Sequence, residues 1–135
     1  MEFKQGNDFI VYEYDNKLEC LKGLILKSQP TEEEWKANIN LVKTFYKLAD
    51  NNNIKFSIIF DLRNLGILSC NYVSEWANLF LENKSLTEKL VYKSALITSN
   101  IIIKNAINAF FVLYKTVRPI QIVYNVQEAL DFISK

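Results

Sequence analysis

The chain has 135 residues, with 16 Lys and Arg against 15 Asp and Glu, a net charge of +1, and half of its residues hydrophobic. That length and composition fit one folded domain with its own core, exclude a disordered chain, and give no electrostatic footing for nucleic acid or an anionic membrane. The complete absence of histidine removes Ser-His and Cys-His catalytic pairs, and every histidine zinc site with them.

Glycine and proline number only 3 and 2, which speaks for long regular elements rather than a turn-rich all-β fold. Cys20 and Cys70 form no CxxC pair and read as free thiols of a reducing compartment, so a cytoplasmic protein is expected. The N-terminal MEFKQGNDF has no apolar signal-peptide core, and residues 1–8 read as a flexible lead-in.

In chain order, Phe9–Asp15 and Leu18–Leu26 predict a hairpin around Asp15-Asn16, with Gly23 marking a bulge or a close backbone approach. Pro30 ends it. Thr31-Glu32-Glu33-Glu34 is a capping box, and its three carboxylates suit the positive end of a helix dipole better than a metal or acid–base site. Trp35, Ile39, Val42, Phe45, Tyr46 and Ala49 then recur at helical steps on one face. After the Asn51–Asn53 loop, Ile54–Phe60 is a short continuous apolar run, suited to a central strand covered on both faces. Val73, Trp76, Ala77, Phe80 and Leu81 predict a second amphipathic helix, and Tyr92–Thr98 a third short strand.

Ser99 or Asn100 can cap the next helix, whose apolar side carries Ile103, Ala106, Ile107, Phe110, Leu113 and Tyr114. Arg118-Pro119 stops it. The window Ser94–Tyr114 is the most apolar in the chain. It contains Thr98, Ser99, Asn100, Lys104, Asn105 and Asn108, and so reads as a buried strand and helix rather than a bilayer span; no transmembrane segment is expected. Ile120–Tyr124 gives the last strand and Val126–Ile133 a terminal helix. The order β-β-α-β-α-β-α-β-α predicts a single α/β domain with a mixed, mostly parallel sheet and an N-terminal hairpin.

This order resembles the STAS family of sulfate-transporter domains and anti-sigma-factor antagonists over Phe9–Lys135. FSIIFDLRNL is similar to the family's central strand ending in Asp-Leu, and RPIQIVYNVQEALDFISK to its last strand and terminal helix. The likeness is nearest to small stand-alone STAS-like proteins grouped with Sec14-type lipid-binding folds. It implies a regulatory interaction module. Anti-sigma-factor antagonists carry an Asp-Ser-Ser-Gly loop whose second Ser is phosphorylated; those positions fall here on Ser69, Cys70, Asn71 and Tyr72. Asn71 cannot accept phosphate, so the scaffold carries over and the phosphoswitch does not.

The candidate binding residues lie at strand-to-helix junctions. Ser69, Cys70 and Asn71 could hold a reactive thiol, a phosphorylatable serine or simply a helix cap. Asp61, Arg63 and Asn64 sit beyond the carboxyl end of a central strand, where ligands of open α/β sheets gather, although a solvated loop pair is the plainer reading. Ser99 and Asn100, at a second such junction, could share a crevice with Ser69 to Asn71 or serve as a separate cap. There is no GxGxxG and no GxxxxGK[ST], so no nucleotide phosphate loop is expected. Ile103, Ile107, Phe110, Phe111 and Tyr114 give a helix too apolar to be covered easily, which points to an interface or a ligand groove. The expectation is therefore a non-enzymatic interaction module without metal or cofactor, contacting a protein partner or a second copy. The alternative is a carrier or sensor of a small hydrophobic, lipid-like molecule held beneath the helix at 101–114.

Overall fold

A computed structural model gives the fold; it describes residues 1–113 and 115–135, with Cys70 and Leu113 described by backbone alone. One six-stranded sheet runs in sequential order: β1 (Lys4–Gly6), β2 (Ile10–Asp15), β3 (Cys20–Ile25), β4 (Phe56–Asp61), β5 (Val91–Ile97) and β6 (Ile120–Val123). β1, β2 and β3 are antiparallel, and β3 to β6 are parallel. The helices are α1 (Glu32–Asn51), α2 (Cys70–Glu82), α3 (Lys84–Leu90), α4 (Ile101–Leu113) and α5 (Val126–Ile133). The α/β class, the hairpin and the parallel remainder are as the sequence predicts.

Two short elements come in addition. Lys4–Gly6, within the expected flexible lead-in, pairs with Val11–Glu13, and the neighbouring Phe3 is buried against Phe45. Lys84–Leu90 forms a separate helix before β5.

Because β3, β4, β5 and β6 add in one direction, right-handed crossovers place α1, α2 and α4 on one face of the sheet. Phe56, Ile58 and Phe60 alternate towards that face, and Ile59 with Ala95 and Ile97 towards the other, where α5 seats Ala129 on Val123. β4 is buried at every position, the expected result for a strand covered on both faces.

The local signals hold. The Thr31 hydroxyl accepts from the amide of Glu34 at 3.1 Å and the Glu34 carboxylate from the amide of Thr31 at 2.8 Å, completing the capping box. Gly23 lies in regular register between Tyr12 and Phe60; a Cβ there would stand 2.7 Å from the Phe60 ring, so the position marks a close approach and not a bulge. The irregularity falls instead between Phe56 and Ile58, where β5 carries an extra residue. Among the described residues no helix is long and apolar enough to cross a membrane.

Candidate functional site

On the face of the sheet shared by α1, α2 and α4 lies a half-enclosed cavity of about 220 Å³. Its floor runs across the sheet: Ile10 on β2, Ile25 on β3, Phe60 on β4, Leu96 on β5 and Ile120 on β6. At ~4.8 Å between strands that floor spans roughly 19 Å. Trp35, Trp76 and Phe80 form the wall from α1 and α2, and Ile103, Ala106, Ile107, Phe110 and Phe111 the wall from α4. The aromatic rings continue from one helix to the next, with Trp35–Trp76 at 5.7 Å, Trp76–Phe80 at 5.5 Å and Phe80–Phe110 at 6.4 Å between centroids.

α5 seats closely on β5 through the small Ala129, whereas α4 faces the sheet with the bulky Ile103, Ile107, Phe110 and Phe111. Bulky side chains on both sides border the gap. An apolar cavity of about 150 Å³ takes up benzene, so this one has room for an apolar molecule.

The segment after β4 closes one end, with Leu65, Ile67 and Leu68 on the cavity. It is pinned at several points. Asn64 Nδ2 donates to the Ile25 carbonyl at 3.0 Å, the Gly66 amide to Ser28 O at 2.9 Å, and Gln29 Nε2 to Ile67 O at 2.7 Å. A Cβ at Gly66 would meet Gln29 Nε2 at 3.0 Å and Ser28 O at 3.1 Å, so glycine lets the two loops touch. Asp61 accepts from Arg63 Nε at 2.9 Å and Nη2 at 2.6 Å, and the Arg63 side-chain hydrogen bonds hold the Asp61 carboxyl below its usual range. With Arg63 half exposed, the pair contributes under about 1 kcal/mol.

Two of the other sequence candidates, Ser69 and Asn100, cap helices. Ser69 Oγ accepts from the Tyr72 amide at 3.4 Å, and Asn100 Oδ1 from the amides of Ile102 and Ile103 at 2.9 and 3.4 Å. Asn71 and Ser99 are exposed. The polar residues Asp61, Arg63, Asn64, Ser69, Asn71, Ser99 and Asn100 do not line the cavity; Ile103, Ile107, Phe110 and Phe111 do. Tyr114 lies outside the described residues, and so does the Cys70 side chain. Cys20 is fully buried, and burial pushes its thiol up to about 12, so it is no nucleophile.

The only polar side chains on the cavity, among the described residues, are Asn38 and Ser94. Asn38 is 1% exposed and accepts from the Tyr12 hydroxyl. Sequence reading passed over it, although it falls in the stripe Trp35, Asn38, Val42, Phe45 at helical spacing. A polar residue inside an apolar stripe was the available signal.

No family model matches the chain, and no curated protein matches it significantly. Among solved structures, the crystal structure at 2.25 Å resolution of an uncharacterized protein from the DUF3478 family, with a SpoIIAA-like fold, from Shewanella loihica PV-4, superposes with a TM-score of 0.61. The match covers 98% of this chain and 92% of that one, at 13% identity. The fold is SpoIIAA-like. This is the STAS-like fold to which FSIIFDLRNL and RPIQIVYNVQEALDFISK pointed. In its SpoIIAA-like frame the cavity lies under α4 and beside the Asp61–Ser69 loop.

Proposed function

We propose that the chain is a non-catalytic, STAS-like binding module that takes up a small hydrophobic molecule between the sheet and α4. The observation that carries this reading is the cavity of about 220 Å³ with a nearly wholly apolar lining. Burying a ligand there gains about 0.8 kcal/mol per methylene, which is a binding energy, and this supports the reading of the space as a binding site. Trp35 and Trp76 on the wall make entry visible as a change in intrinsic fluorescence. Native mass spectrometry of freshly purified protein tests the reading: a retained adduct released on denaturation is expected, and failure to retain or take up any apolar compound overturns it.

A second reading rests on the outer face of α4. Ile101, Ile102 and Val112 are 65%, 57% and 81% exposed, an apolar strip facing away from the cavity. It supports a contact with a protein partner or a second copy of the chain. A mass that rises with concentration, and falls on Ile102→Lys, is the expected result for self-association.

A further inference from the structure

Beside the apolar cavity lies a smaller space of about 70 Å³, and Phe80, Phe110, Phe111 and Ile120 belong to the walls of both. Beyond that shared wall the chemistry changes. Lys84 at the start of α3, and Lys115 and Arg118 from the segment joining α4 to β6, line the smaller space. Among the described residues no Asp or Glu lines either one. Arg118 donates from Nε to the Glu88 carbonyl at 3.0 Å and from Nη2 to the same oxygen, which holds its guanidinium in place. Among the described residues none of these three cations forms an ion pair, whereas Lys22, Lys27, Arg63 and Lys89 do. An apolar cavity adjoining a space rimmed by positive charge is complementary to a molecule that is greasy along its length and negative at its tip.

We infer that the ligand is a single-chain anionic amphiphile, its hydrocarbon in the apolar cavity and its carboxylate or phosphate head among Lys84, Lys115 and Arg118. This rests on the reading of the main cavity as a ligand site. Lys84, Lys115 and Arg118 are exposed, so the head keeps much of its water while the chain leaves it, and no bare charge is buried. An uncharged head gains nothing from the three cations, and a cationic head is repelled.

The test is titration at pH 8 of full-length protein with decanoate, decyl phosphate, decanol, decyltrimethylammonium and inorganic phosphate, followed by tryptophan fluorescence and calorimetry. Decanoate and decyl phosphate bind at least several-fold more tightly than decanol, and inorganic phosphate neither binds measurably nor displaces them. Lys84→Gln with Lys115→Gln weakens the two anions about tenfold, leaves decanol unchanged, and Lys84→Arg with Lys115→Arg restores them. Both lysines are exposed, so the variants fold, and a retained thermal midpoint checks it. If no decyl compound binds, the cavity reading falls. If decanol matches decanoate, or the glutamine pair leaves decanoate affinity unchanged, the head-group assignment falls while the cavity reading stands. Displacement of decanoate by millimolar inorganic phosphate overturns it in favour of a free anion.

Discussion

Replacing Ser94 by Phe tests whether the space under α4 is a true cavity. Ser94 lies on β5 with its side chain on the cavity floor, and Phe suits a strand. Leaving a space empty costs about 24 cal/mol per Å³, so 220 Å³ corresponds to at most about 5 kcal/mol. That is an upper bound, because the cavity is open on one side. A phenyl ring fits without moving the walls, since about 150 Å³ suffices for benzene. Cavity filling of this kind returns about 0.5–2 kcal/mol. We expect a gain of about 1 kcal/mol in urea unfolding followed by tryptophan fluorescence, a thermal midpoint higher by about 3–5 °C, and decanol affinity reduced at least about tenfold. Loss of more than about 1 kcal/mol would mean that the ring meets packed atoms, as overpacking does. Unchanged decanol binding would mean that the ligand sits elsewhere. Either result refutes the reasoning.

Affinity for straight-chain alcohols rises about fourfold per methylene until the floor is filled, then levels off; titration with hexanol, octanol and decanol shows whether it does. Tyr12→Phe leaves the buried Asn38 oxygen without its donor and costs about 1–3 kcal/mol, whereas the double variant with Asn38→Leu costs less than the sum of the singles; additive urea midpoints would contradict the bond. Burial raises the Cys20 thiol from 9.0 to about 12 and also raises the Tyr12 and Tyr46 phenols, so the native state keeps protons that the unfolded chain releases. Stability is therefore full below about pH 9 and declines as pH rises through the alkaline range, and Cys20→Ala delays the onset towards pH 10. At the acid end the depressed Asp61 carboxyl contributes stability above its ordinary 3.8 that is lost as pH falls through its lower folded value; Arg63→Ala removes that component in acid unfolding curves.

The elements were legible because local signals and global fold agree. The capping box at Thr31, the helical stripe from Trp35 to Ala49 and the terminal helix Val126–Ile133 stand where their residues place them. β1 was not legible, since Lys-Gln-Gly has no strand character and is ordered only by pairing with β2. The inward set of α4 could be read from three- and four-residue spacing, but what it faces could not. Whether Ile107 and Phe110 meet another helix, a partner or an open space depends on residues distant in sequence, such as Phe80 on α2, whose ring meets Phe110. The Lys84, Lys115 and Arg118 group was invisible for the same reason: its members are dispersed along the chain and converge only when α3 packs beside the segment entering β6. Of the polar junction residues conspicuous in sequence, Ser69 and Asn100 cap helices and Asn64 pins a loop, and none of them lines the cavity.

Methyl NMR of the protein titrated with decanol tests the central claim most directly, because α4 has distinguishable inner and outer methyl groups. Shifts on Leu96, Ile103, Ile107 and Ile120, with Ile101, Ile102 and Val112 unmoved, are predicted for a ligand between the sheet and α4. Shifts confined to Ile101, Ile102 and Val112, or saturation with the inner methyls unmoved, would contradict it.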